Sequence, residues 1–557
     1  MKKIIALFLT VLMVMGVCVM PVFAEGTEKH EKSPIIFIAG SSIDICDAEG
    51  NEISTGFDVV TDDDEGDMTT DKIVETAMNI LKPFLLEGLP FDKWDNYGEA
   101  LYNELSPIWD ETQLDGNGNA KYGTGVSQAE INRWNNEAKK NKGSDGYFNI
   151  GDYKFRYDWR LSPYDHVDRL HEFIKDILKA TGCKQVCLVG RCLGGTVITA
   201  YLEKYGDQGL VKKVFFDEVM SNGSAIINDC FSGKIAFSDK HIQAYLLQSE
   251  YFGKDGQGID LEGVSEVVLT LAETAVDYCT KAGILKTAFG GVEKLYDRLY
   301  EAFMPAMLRA TGIGTWASYW CSVYEEDFDE AVDLVFGKEG TATREENAGL
   351  VAKIEYIRDH MVKSKEELYE KVTEEYGVEV GVMAGYGLAN APIMEHYDET
   401  SDCVVGVSDS SFGATAAGLF DTLSDEYIAE RTALDFGSYI SPDKKIDAST
   451  CLFPETTWFI KNKHHDYGES YEYLAEYFTQ YTNVTADSNN RNISRFLVFD
   501  KSSKSEFVNM TEENMADGKW ITDVQQEPDF KSVFASFIAF MKALWQAFVE
   551  LISGSLI

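Results

Sequence analysis

Residues 186–202 constrain the fold more than any other stretch, because they read as a buried strand, a glycine-bracketed turn and a helix with a cysteine at the apex. Val186–Val189 has strand character, and Thr196–Leu202 supplies the apolar period of a helix. Between them lies Gly190-Arg191-Cys192-Leu193-Gly194-Gly195. This is the setting of a nucleophile elbow, in which the turn is so sharp that the apex side chain is thrust out above the end of a sheet. Gly190 and Gly194 are small because backbone closes on residue 192 from both sides and a side chain there would collide. A buried cysteine in an ordinary strand-helix turn would produce the same six letters, so the neighbouring motifs carry the decision.

Upstream stands Phe155-Arg156-Tyr157-Asp158-Trp159-Arg160-Leu161-Ser162, separated from the elbow strand by a helical segment from about Pro163 to Ala180. Tyr-Asp-Trp-Arg one helix before an elbow resembles the lecithin:cholesterol acyltransferase and phospholipid:diacylglycerol acyltransferase family of α/β-hydrolases. Further blocks follow the family's order. Pro34–Ser42 is similar to its first strand and glycine loop, Val380–Gly387 to a late strand, and Ser408-Asp409-Ser410-Ser411-Phe412-Gly413 stands where the family has its acid loop. The resemblance implies an α/β class and an α/β-hydrolase fold, a mostly parallel central sheet flanked by helices with a helical cap insertion. It also implies an oxyanion hole built from the backbone N–H groups of Leu193 and of Ser41 or Ser42. Family members carry His-Ser-Met-Gly-Gly at the elbow, whereas this chain has Arg-Cys-Leu-Gly-Gly. Acyl transfer is therefore read from the scaffold and not from an intact motif. Chemistry permits the exchange, since a thiolate is a strong nucleophile that a neighbouring imidazole can hold deprotonated.

Chain order restricts the remaining members of a triad, because nucleophile, acid and histidine follow one another along this fold. The chain has eight histidines, and after Asp409 only His464 and His465 remain. They follow Thr457–Ile460, a good strand, and precede a helical run from Tyr471 to Tyr481, the place where the base belongs. His465 is favoured over His464 because the longer turn lets its ring reach back across the strand ends. Asp409 is the expected acid, with Asp402 and Asp447 as rivals; Asp447 lies in a turn-rich stretch where such side chains more often cap backbone. Asp158 and Arg160 are expected to fix a loop beneath the cap rather than to perform chemistry.

Residues 1–24, with Lys2 and Lys3 before an apolar core and Val22-Phe23-Ala24 at its end, read as a secretory signal peptide. Its removal takes the formal charge from −42 to −44, which disfavours nucleic acid and anionic lipid as partners and fits a secreted or extracytoplasmic protein. Residues 31–221 are expected to form the first part of the hydrolase core, 222–375 the helical cap insertion and 376–482 the second part. A polar segment at 483–529 then leads to an amphipathic helix at 530–557. That helix carries Phe534, Phe537, Met541, Leu544, Phe548 and Leu551 on one face, and its internal charges favour an interfacial or protein-docked helix over a bilayer span. Acidic runs such as Asp62-Asp63-Asp64-Glu65 read as solvated loops, so no metal and no cofactor is expected.

Together these features lead to an exported enzyme that transfers or hydrolyses an ester or thioester acyl group, from a small-molecule or lipid substrate, through Cys192, His465 and Asp409. Peripheral membrane contact would run through residues 530–557. The rival reading is a binding protein at the cell surface that kept the scaffold after losing efficient catalysis, motivated by the missing serine and the eroded acid loop.

Overall fold

The computed structural model describes residues 33–40, 46, most of 76–125, and, with short gaps, 148–252, 302–465 and 470–524. The expected signal peptide, Ser41, Ser42 and the helix at 530–557 lie outside the described residues. Eight strands form one sheet: β1 (Ile35–Ile38), β2 (Tyr153–Lys154), β3 (Val186–Arg191), β4 (Val211–Asp217), β5 (Glu379–Tyr386), β6 (Thr457–Lys461), β7 (Phe496–Phe499) and β8 (Phe507–Asn509). Their spatial order is β8-β7-β6-β5-β4-β3-β1-β2. All neighbours run parallel except β7 and β8. The chain thus has the mostly parallel sheet and flanking helices of an α/β-hydrolase.

Strands covered on both faces need continuous apolar runs rather than alternation. Ile35–Ile38, Val186–Val189, Val214–Phe216 and Trp458–Ile460 supply them, and every one of these residues is buried. The helix before the elbow, α1 (Val167–Thr181), buries Val167, Leu170, Phe173, Ile174 and Ile177. That spacing of three and four places one stripe on the sheet, worth about 1.5–3 kcal/mol per side chain before ordering costs. Gly182 stops the helix in a left-handed conformation, φ 74°, its N–H donating to the Leu178 carbonyl.

The chain order along the sheet reverses at β1, whose C-terminal end lies beside that of β3. In open parallel sheets such a switch point opens a crevice outside the strand ends. The elbow stands there, because β3 runs directly into α2 (Gly194–Tyr205).

Between β4 and β5 the described residues are largely helical, including Ala225–Ser232, Asp239–Phe252, Phe328–Phe336 and Ala348–Ile357. Their aromatic centre is packed onto the body: Trp316, Tyr319 and Trp320 are all buried. Trp316 meets Trp159 edge to face at 4.8 Å and donates to the Thr112 carbonyl at 3.0 Å. Arg160 fastens the same region from below. It forks onto Asp158 at 3.0 and 2.8 Å, donates to the Thr112 carbonyl at 2.8 Å, and its own carbonyl accepts from Ser318 N–H at 3.4 Å.

The expected end of the core at residue 482 needs correction. Phe496–Phe499 pairs with β6, and Phe507–Asn509 closes that edge in antiparallel register. Two short apolar runs inside a polar stretch suffice to extend the sheet, because β6 already presents its full ladder. Trp520 is buried beyond them and donates to the Gly387 carbonyl at 3.0 Å, so the body continues past residue 482 to at least Trp520. Among the described residues no helix is long and apolar enough to cross a membrane, and the eight described cysteines form no disulfide.

Candidate active site

Cys192 occupies the apex with φ 52°, a left-handed conformation that a non-glycine residue adopts only when its surroundings hold it there. Its N–H donates to the Asp217 carbonyl at 3.1 Å, and its carbonyl accepts from Gly195 N–H at 3.0 Å. Both glycines answer to close approach. A Cβ on Gly194 would fall 1.9 Å from the Ile38 carbonyl oxygen, and one on Gly190 would fall 2.8 Å from Ile198 Cδ1. Among the described residues nothing accepts a hydrogen bond from the N–H of Leu193, which follows the apex and opens α2. An N–H at a helix start beside the thiol is the kind of donor that an oxyanion requires. Ser41 and Ser42, the other expected donors, lie outside the described residues.

His465 comes from the turn after β6 and is buried. Its Nδ1 donates to Asp402 Oδ2 at 2.8 Å, and its backbone N–H donates to the Asp402 carbonyl at 2.9 Å. The opposite nitrogen, Nε2, is buried without a full hydrogen bond. The Cys192 thiol is near enough to act on the ring by charge and a weak sulfur contact. Burial by itself would lower the imidazole pKa, yet the charges of Asp402 and Cys192 and their hydrogen bonds raise it well above the ordinary histidine value. Asp402 is desolvated too, but His465 and the N–H groups of Val405 and Val404 hold its carboxyl below the usual range. Those two N–H groups donate to Oδ1 at 2.7 and 2.9 Å, leaving Oδ2 for the histidine.

The expected acid, Asp409, is not the carboxylate on His465. It lies in the short helix Val407–Ser410, accepts from Tyr324 Oη at 2.9 Å, and faces Lys365 and His396. Burial pushes its pKa up to about 6. Asp402 displaces it because the loop after β5 folds back to present residue 402, seven positions earlier, at the strand ends. There Asp402 caps its own turn and still offers one oxygen to the histidine. The other rival, Asp447, accepts from Arg431 Nε at 2.7 Å and Tyr427 Oη at 2.9 Å, away from His465. His464 is only partly buried, and desolvation followed by the charge of Lys463 lowers its pKa to about 3.

Two features of the site have no counterpart in the sequence reading. Arg191, immediately before the apex, donates to the His465 carbonyl and lies 3.5 Å from Asp217 Oδ2, tying the elbow to the histidine turn. The thiol itself is covered. Cys192 is 1% exposed, its Sγ lies 3.7 Å from Met220 Sδ, and Tyr157 and Tyr319 are close enough to feel its charge. A thiol beside an imidazole whose other nitrogen is held by a carboxylate, with an N–H donor at a helix start, is an arrangement suited to nucleophilic attack on a carbonyl.

Residues 134–253 match the lecithin:cholesterol acyltransferase family, a segment that takes in the Tyr-Asp-Trp-Arg motif, β3 and the elbow. The chain has an α/β-hydrolase fold and is similar to that family. The match spans under a quarter of the 557 residues and implies an acyl-transferring or hydrolytic enzyme of lipid-ester type. Among solved structures, this chain is similar to a chain of the Tle4-Tli4 complex, with 11% identity over 63% of this chain and 75% of that one. The TM-score of 0.24 makes that likeness too slight to bear on the site. A comparison with curated proteins found no match.

Proposed function

We propose that this hydrolase is an exported enzyme that cleaves or transfers an acyl group from a lipid or small-molecule ester or thioester. Cys192 is the nucleophile, His465 the base and Asp402 the acid that orients it. The observation that carries the reading is the 2.8 Å bond from His465 Nδ1 to Asp402, which leaves Nε2 for the thiol. In this scheme the Cys192 thiolate attacks the acyl carbonyl, and the oxyanion is received by the Leu193 N–H and by Ser41 or Ser42. Collapse of the tetrahedral species expels the alcohol or thiol, which takes the proton from His465 Nε2 and leaves an acyl-thioester. Water or an acceptor alcohol then gives its proton to Nε2 and attacks that thioester, regenerating the thiol. Asp402 keeps the Nδ1 proton in place throughout. Residues 530–557 would bring the enzyme to a lipid surface.

Because the thiol is covered by Met220 and the insertion's Tyr319, substrate reaches it only when that cover moves. This burial favours one rival, a binding protein on a retained scaffold. Turnover of an ester and thioester panel by the mature protein, abolished in Cys192→Ala, supports the enzyme. Binding of the same esters without turnover, unchanged in Cys192→Ala, supports the rival.

A further inference from the structure

Glu218 stands beside His465 with no part in the arrangement described so far. It follows β4 directly and is wholly buried. Its Oε2 lies 3.8 Å from His465 Nδ1, the nitrogen that donates to Asp402, and 3.3 Å from Lys463 Nζ. Among the described residues Oε1 has no hydrogen-bond partner. Several features show that the carboxyl is held there against resistance. The residue has φ 46°, a left-handed backbone that only surrounding structure sustains, here through its N–H donating to the Met383 carbonyl at 3.0 Å. On β5, a Cβ at Gly385 would fall 2.7 Å from Glu218 Oε1 and 2.8 Å from Asp402 Cβ. The sheet is left bare where both acids pass.

Successive strands thus supply two carboxyls to one imidazole, Glu218 from the end of β4 and Asp402 from the loop after β5. Packing alone does not account for a buried acid with one bare oxygen, since a hydrocarbon of the same size would fill the space without desolvating a polar group. We propose that Glu218 is a second positioning acid for His465, a reserve acceptor beside Nδ1 that holds the ring when the Asp402 carboxylate is lost. The inference rests on the Cys192–His465 reading above. The groups facing Glu218 explain the division of labour. Asp402 and Asp217 disfavour its charge, whereas Lys463, His465 and, further out, Arg191 favour a carboxylate in this cluster. Burial first, then Asp402 and Asp217, push its pKa to about 8 against the pull of Lys463. At neutral pH it therefore stands as a neutral acid beside an ionised Asp402, since two adjacent carboxylates do not both ionise. Removing the Asp402 charge removes one reason for Glu218 to keep its proton, and Lys463 then favours the carboxylate.

The test needs no substrate. The thiolate absorbance of Cys192 is followed across pH in the full chain, with Cys192→Ser as the blank, for wild type, Asp402→Asn, Glu218→Gln and the double variant. In the wild type a Cys192–His465 ion pair should show thiolate absorbance at neutral pH. Asp402→Asn should cut the thiolate fraction at neutral pH about tenfold, and the double variant should cut it about tenfold again, as loss of a neighbouring charge does. Coincident titrations for Asp402→Asn and the double variant would overturn the role of Glu218 while leaving the Cys192–His465 pair intact. A wild type that titrates as an ordinary thiol would instead defeat the pair itself, and the inference with it. Gln preserves volume; should the double variant fail to fold, Glu218→Asp on the Asp402→Asn background gives the same comparison with the acid withdrawn by one methylene.

Discussion

Two aspartates seven residues apart compete for one histidine, and their surroundings decide between them. Asp402 Oδ2 meets His465 Nδ1, while Asp409 is engaged by Tyr324. With a substrate in hand, Asp402→Asn should lower kcat by about 10- to 100-fold. That is less than the ~10⁴-fold loss typical of a lone triad acid, because Glu218 remains. Asp409→Asn should stay within about threefold of wild type, since its amide oxygen still accepts from Tyr324. Equal losses in the two variants would return Asp409 to the site. Glu218 also leaves a mark on stability. Its folded pKa, about 8, is raised above the ordinary carboxyl value of 4.5. The stability penalty from that proton is absent below the unfolded pKa, grows as pH rises through the interval, and is complete above the folded pKa. Glu218→Gln should therefore gain in Tm relative to wild type between pH 5 and pH 8, by about 2 °C or more. A Tm difference that does not change with pH would show that the carboxyl is not buried with its proton. The elbow, Cys192 and the two-histidine turn were legible in the sequence because chain order and glycine spacing are local signals. The choice of acid was not, because it depends on how one loop refolds over the ends of two strands.

At the scale of elements, Arg160 locks the Tyr-Asp-Trp-Arg turn to the insertion. Its guanidinium is fully buried, forked onto Asp158 and bonded to the Thr112 carbonyl. Arg160→Met should cost about 3–5 kcal/mol, because it strands a buried carboxylate without its partner. Chemical denaturation reads this directly, and a loss below about 1 kcal/mol would mean that water reaches Asp158. The sequence already placed Asp158 and Arg160 in a structural role, as opposite charges two residues apart at the end of a strand. The docking of Trp316 and Tyr319 against Trp159 was not announced, as aromatic runs serve equally to pack and to line a pocket. Likewise β7 and β8 escaped notice because four- and three-residue strands carry almost no periodic signal; their pairing comes from β6.

As a whole molecule, the chain has a body that runs from β1 through β8, with the Cys192 thiol buried against Met220. A chain ended at residue 482 lacks β7 and β8 and leaves β6 with an open edge, where Phe459 is now wholly buried. Such a chain should aggregate or be degraded, whereas folding of that fragment with an intact thermal transition would restore the shorter boundary. In the proposed reaction Cys192, activated by His465, accepts an acyl group. The most direct measurement incubates the mature protein with an activated acyl ester, quenches in acid and maps the adduct by peptide mass spectrometry. One acyl group on the peptide bearing Cys192, lost in His465→Ala, is the predicted result. No adduct, or one distributed over other cysteines and unaffected by His465→Ala, would contradict it.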